Sequence, residues 1–218
     1  LKRKASLAAE ESDSFVSINA SGNRRRISLR NGALSGAGDI TIAGKNIDDI
    51  LQLESSLTST YTGDWIVNGG RLVVNLDSHI GSLARVTLSN ASSYLDIRSA
   101  QAIGSLTGSG VVRSGTSGSF TLTTGGDDTD TVFSGKIENG SGTVGLAKRG
   151  VGTFTLSGSS TYTGGTTIGN NTANVGTVII TNSTALGTGT VTMVSNSGNG
   201  NLASLLLSHP TGMTVANN

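Results

Sequence analysis

The sequence predicts an all-β chain wound as a parallel β-solenoid, a single elongated domain. Three observations carry that reading. The 218 residues include 32 glycines, one proline, eight aromatic residues and no cysteine. That composition suits many short strands joined by many corners rather than an ordinary enzyme domain. Apolar and hydroxyl residues alternate at period two in run after run, the mark of half-buried strands, and glycine pairs separate the runs. Finally, the runs recur, degenerate but recognisable, along the chain.

Recurrence of this kind has a physical logic. One turn of three short strands exposes hydrogen-bonding edges above and below and cannot bury its apolar face; stacking turns pairs the edges and closes one core. With roughly twenty residues per turn and a rise of about 4.8 Å, the chain is expected to make about ten turns over about 50 Å. The rival fold is an antiparallel sandwich, which needs bulky side chains to fill a core about 10 Å thick; four Phe and one Trp supply few. Hydrophobic content of 35% is too high for a disordered linker. The formal net charge of +1 gives no reason to expect nucleic acid or membrane as a partner.

In chain order, residues 1–13 read as a polar lead-in or linker and 14–218 as the solenoid. Phe15 to Ile18 and Arg26 to Arg30 are the first candidate strands; Ile27 and Leu29 share one face, Arg26, Ser28 and Arg30 the other. Leu34 to Gly44 supplies a glycine corner and a strand, a text that returns at Leu106 to Gly115 and loosely at Ile137 to Leu146. Residues 45–57 interrupt the pattern: Ile47, Ile50, Leu51 and Leu57 nearly follow helical spacing behind Asn46 as a cap, so a short helix or a loop beside the stack is expected. Ser59-Thr60-Tyr61-Thr62-Gly63 returns as Ser160 to Gly164. Each copy leads to an apolar strand (Arg71 to Val74; Val178 to Ile180), a matching loop (77–81; 183–187) and a further strand (Arg85 to Leu88; Thr190 to Met193). The second copy carries extra residues at 170–174, where a repeat tolerates insertion. Leu205 to Leu207 and then Pro210 suit a strand and a corner. Without an initiating Met, and stopping mid-pattern, the chain reads as an internal piece truncated at both ends.

The stretch Leu146 to Ile168, LAKRGVGTFTLSGSSTYTGGTTI, resembles the autotransporter-associated β-strand repeat, also called the passenger-associated transport repeat. Lys148, Gly150, Gly152, Thr153, Leu156, Ser157, Gly158, Thr161 to Gly165 and Thr166 stand at its marked positions. Arg149 enters between Lys148 and Gly150, Phe154 replaces an aliphatic residue and Ser160 an asparagine. The resemblance implies a right-handed solenoid in the passenger region of a bacterial autotransporter, secreted or displayed on the cell surface of a Gram-negative bacterium. It also implies a C-terminal outer-membrane translocator barrel, which this sequence does not contain. The absence of cysteine is chance in a cytosolic protein, but it also suits a chain that crosses a disulfide-forming periplasm unfolded; the resemblance favours the second reading.

Chemistry is sparse. His79 and His209 are the only histidines, and no catalytic motif is present. The expectation is a non-enzymatic structural or binding segment without cofactor. Its partners would be a host protein or a glycan, or other copies through solenoid faces or ends, and no nucleic acid. The alternatives are a solenoid enzyme acting on polysaccharide, which needs carboxylates converging on one outward face across adjacent turns, and a self-assembling fibre subunit. Asp127, Asp128 and Asp130 follow a glycine pair and are candidate Ca²⁺ ligands, or simply a solvated loop. Arg24, Arg25 and Arg26 are candidates for a phosphate or sulfated sugar, or for charge protecting a strand edge. Trp65 and Tyr94 are candidates for stacking on sugar rings, and Trp65 equally for filling the core.

Overall fold

The computed structural model describes residues 7–9, 14–17, 25–31, 33–54, 58–77, 79–170, 175–195 and 202–215. The chain winds in coils. The first holds β1 (Leu7–Ala9), β2 (Ser14–Ser17) and β3 (Arg25–Leu29); the second β4 (Ala33–Gly36), β5 (Ile40–Ala43) and β6 (Asp49–Leu53); the third β7 (Thr58–Tyr61), β8 (Trp65–Val67) and β9 (Gly70–Val74). β10 (Arg85–Leu88) and β11 (Ser93–Ile97) lie on the next. Then come β12 (Gln101–Ala102), β13 (Ser105–Gly108) and β14 (Val111–Arg113), followed by β15 (Ser119–Thr124), β16 (Thr131–Phe133) and β17 (Lys136–Ile137). The remaining coils carry β18 (Thr143–Lys148) with β19 (Thr153–Leu156), β20 (Thr166–Gly169) with β21 (Thr177–Ile180), and β22 (Val191–Val194) with β23 (Ser204–Leu207).

Among the described residues every pairing is parallel, each strand bonding to those one coil away. The chain is therefore a β-solenoid. Its central wall is a nine-stranded sheet from β2 to β23; a six-stranded sheet from β3 to β17 forms the second side. The third side is shared by a three-stranded sheet (β1, β4, β7) and a five-stranded one (β12 to β22). Between those two, residues 79–84 run without strand but remain in the stack: Ser59 Oγ donates to the His79 carbonyl at 3.1 Å, and Gly104 N to that of Ala84 at 2.8 Å.

Period-two alternation sends one row of each wall inward. On the six-stranded wall, Ile27, Leu51, Leu72, Leu95, Val112 and Ile137 stand in register, one per coil, as a single apolar column. On the nine-stranded wall Ile40, Trp65, Val86 and Leu106 do the same, each fully buried. Burying these columns is what stabilises the stack, because no coil could remove them from water alone.

The helical reading of 45–57 is overturned by β6 at Asp49–Leu53, while 55–57, with Leu57, lie outside the described residues. Asn46 caps a turn, accepting Asp48 N through Oδ1 at 2.9 Å, while Asp49 Oδ2 accepts Lys45 N at 2.7 Å. The chain leaves that turn extended, and Leu51 and Leu53 enter the core at strand period. β1 falls within the stretch read as a lead-in and pairs with β4.

The repeated corner text serves more than one corner. From Leu34 it joins β4 to β5, from Leu106 it joins β13 to β14, and from Ile137 it joins β17 to β18, so it turns three different corners of the rod. What repeats is a corner with its flanking strands, not a whole coil, and coil length is free to vary from 17 residues (Tyr94 to Val111) to 27 (Thr177 to Ser204).

Gly108, at φ 100°, shows why these corners need glycine: a Cβ there would strike the Leu88 carbonyl of the coil below. Gly108→Ala combines that collision with a strained backbone and is expected to cost about 3 kcal/mol, read as a lowered urea midpoint at unchanged m-value.

Candidate functional site

The two Ser-Thr-Tyr-Thr-Gly copies anchor the densest buried polar structure. Although the text is shared, the copies sit one side apart: Ser59 to Gly63 follows the six-stranded wall and feeds the nine-stranded one through β8, whereas Ser160 to Gly164 follows the nine-stranded wall and feeds β20. Residues 157–165 carry no strand, yet Thr161 N still donates to the Ile137 carbonyl one coil below at 2.9 Å. In the second copy the fully buried Tyr162 hydroxyl meets Thr166 Oγ1 at 2.6 Å, and Thr166 Oγ1 reaches the Leu186 carbonyl at 3.4 Å. Burial holds the Tyr162 hydroxyl well above the ordinary tyrosine range, so it stays protonated and able to donate.

Trp65 occupies the position of Thr166, four residues after the tyrosine, and its Nε1–H donates at 3.0 Å to Ile80, the counterpart of Leu186 in the matching loop. The Tyr61 hydroxyl turns instead to the carbonyls of Gly38 (2.8 Å) and Asp64 (2.9 Å), and its ring meets the indole edge-on at 5.1 Å. One repeat position thus reaches the same loop carbonyl through an indole in one copy and a hydroxyl in the other. Trp65 is fully buried. Its place is the core, and no face of the indole is open to a sugar ring.

The Asp127, Asp128 and Asp130 carboxylates are used by the stack itself. Asp127 accepts Ser105 Oγ at 2.6 Å and both N (3.2 Å) and Oγ1 (2.9 Å) of Thr129; Asp128 accepts Val151 N at 2.8 Å, and Asp130 accepts Thr153 N at 2.6 Å. The loop ties its own coil to the coils on both sides, and among the described residues no group of three His, Cys, Asp or Glu is arranged to hold a metal ion. Asp39 and Asp64 stand on adjacent coils but are engaged likewise, accepting Asp64 N (3.1 Å) and Arg85 N (2.8 Å).

Behind this loop lies a residue that motif reasoning placed in the repeat without a role. Lys148 follows Val144 and Leu146 on the inward side of β18 and is 1% exposed, its ammonium donating to the carbonyls of Arg149 and Gly150. Gly150, at φ 67°, supplies the turn that brings those carbonyls round.

Arg24 lies outside the described residues; Arg25 opens β3, and Arg26 is exposed. Tyr94 is half-buried on β11. The histidines are not brought together: His79 is buried beside β7, whereas His209 is exposed beyond β23. His209 edges a cleft of about 390 Å³ with Thr181, Asn182, Ser183 and Thr214, without a carboxylate to pair with it.

Two outcomes follow from these contacts. Trp65→Phe orphans the Ile80 carbonyl and is expected to cost about 1–3 kcal/mol, measured by urea unfolding. For Lys148, burial lowers the pKa from 10.5 to about 8, against the pull of Asp128, Asp127 and Asp130. Below about pH 8 both folded and unfolded states hold the proton, and the fold bears the full cost of the buried charge. That cost fades as pH rises through the folded pKa toward the unfolded one. Stability from this group therefore grows as pH rises from about 8, the folded pKa, to 10.5, the unfolded one, and the rise should shrink in Lys148→Met.

Comparison with curated proteins gives no match, and neither does comparison with solved structures. The family model of the passenger-associated-transport-repeat matches residues 50–74 and 146–171, the two stretches that contain the paired tyrosine anchors. The chain carries this repeat at two places, consistent with the repeat region of an autotransporter passenger.

Proposed function

We propose that this chain is a non-enzymatic structural segment of an exported passenger, a rigid stalk whose coil-by-coil folding outside the cell helps draw the chain outward and presents loops to host proteins or glycans. The transport repeat and the solenoid fit an autotransporter passenger, and such repeats imply a secreted or surface protein of a Gram-negative bacterium. The observation that supports the mechanical reading is the pairing itself. Each strand finds its partner one coil away, 17 to 27 residues along the chain, so a new coil needs only the one already laid down as its template. A segment emerging from either end can therefore fold as it appears, and each added coil opposes its return.

The test couples stability to export. The chain is fused to an outer-membrane translocator barrel with an N-terminal epitope, and surface exposure is read by protease accessibility on intact cells. Val144→Asp and Tyr162→Ala, which break the core of the transport repeat, should lower surface exposure in proportion to their loss of stability. Export at the native level by both variants would sink the proposal.

A further inference from the structure

The outward face of the six-stranded wall separates charge from the rest of the rod. Register places Arg26, Ile50, Arg71, Tyr94, Val111 and Lys136 in one outward row, and Ser28, Gln52, Val73, Asp96 and Arg113 in the next. Arg30 and Arg98, two residues beyond Ser28 and Asp96, continue the same outward parity. Lys136 is neutralised by Glu138 at 2.6 Å, which leaves five arginines against three acids, Asp96, Glu54 and Asp48, the last of them two residues before Ile50 and on the same parity. Acids elsewhere, Asp39, Asp64, Asp127, Asp128 and Asp130, gather at the corner that leads into the nine-stranded wall.

Asp96 organises the centre of this face. It is fully buried and accepts Arg71 Nη1 at 3.1 Å, Arg98 Nη2 at 3.4 Å and Gly115 N at 2.6 Å, while Arg71 Nε donates to the Ile47 carbonyl at 3.2 Å. One carboxylate is thus surrounded by Arg71, Arg98 and the in-register Arg113. Nε of Arg98 and Nε of Arg113 are themselves buried and find no acceptor among the described residues, so it is not through Nε that these guanidiniums would meet a ligand. Two of the three guanidiniums are held in place by protein contacts, and positive charge is left over on three successive coils.

We propose that this face binds a sulfated polysaccharide lying along the rod, its sulfates held by Arg71, Arg98 and Arg113 while Tyr94 packs against a sugar ring. Guanidinium forks match sulfate geometry, and forks already fixed by Asp96 lose little freedom on binding. Coils repeat at about 4.8 Å, so a linear anion meets one guanidinium per step. Tyr94 is the one aromatic ring in these two rows, whereas single-stranded nucleic acid stacks successive bases on several. No large apolar side chain on this face is exposed among the described residues, which leaves a membrane surface without an anchor. The proposal goes beyond the stalk reading and does not depend on export.

The test measures binding of the full chain to size-defined heparin at physiological ionic strength, with desulfated heparin, single-stranded DNA and phosphatidylserine vesicles as comparators. Arg98→Gln combined with Arg113→Gln should raise Kd about tenfold, whereas Arg85→Gln combined with Arg149→Gln, equal in charge change but on other walls, should stay within about twofold. Thermal melting checks folding. If the face double variant unfolds, Arg113→Gln alone, which breaks no bond to Asp96, decides through a rise of about threefold. The proposal is overturned if native protein does not bind heparin, if desulfation leaves affinity unchanged, if both variant pairs weaken alike, or if DNA or vesicles bind as tightly as heparin.

Discussion

A coil of this chain has no life of its own. Its strands are a few residues long, its apolar row is one residue deep per wall, and its backbone edges point up and down along the rod axis. Only a neighbour one strand spacing away can satisfy those edges and cover that row. Most other features follow from that spacing. Corners of successive coils approach so closely that a side chain on one would occupy the carbonyl of the next, as at Gly108 over Leu88 and at Gly150 over Gly125. Glycine abundance is therefore a result of stacking, and the lack of bulky aromatics follows from a core only as wide as three short strands allow.

The same constraint decides what could be read from the chain beforehand. The parallel solenoid was legible because period-two runs and glycine corners recur. The strands Arg71 to Val74 and Arg85 to Leu88 were visible in their own residues. Residues 45–57 were misread because Ile47, Ile50 and Leu51 mimic helical spacing, while the Asn46 and Asp49 turn that resets the chain to strand depends on contacts that periodicity does not register. The phase of the repeat was hidden for a related reason. Three corners of a three-sided rod make nearly the same demands on sequence, so a text such as Leu34 to Gly44 identifies a corner without saying which one.

Buried polar groups show how a degenerate repeat keeps its function while its residues change. The carbonyl of Ile80 or Leu186 is enclosed and needs a donor; an indole N–H meets it in one copy and a threonine hydroxyl, itself bonded to Tyr162, in the other. Leaving it unmet would cost about as much as burying a bare amide. The demand is for a donor at that place, not for a residue type. This is why Trp65, which alone suggested a sugar platform, belongs to the interior. The carboxylates of residues 127–130 also serve the stack: loop composition suggested a cation site or a solvated loop, and one oxygen each of Asp128 and Asp130 accepts a backbone amide of the next coil.

Where polar side chains are not consumed in holding coils together, they remain available to face outward. On the corner that carries Asp39, Asp64 and Asp128, the acids are spent on backbone amides. On the six-stranded wall the balance is reversed, because guanidiniums outnumber the single buried carboxylate among them. A stack needs its acids to cap exposed amides as each coil begins, but it has no matching need for cations. Arginines gathered on one wall are therefore poorly explained by stability alone, since Asp96 would be satisfied by fewer of them. A rod built by repetition tends toward sides that are chemically alike, and the wall that departs furthest from that likeness is the one on which we propose a partner lies.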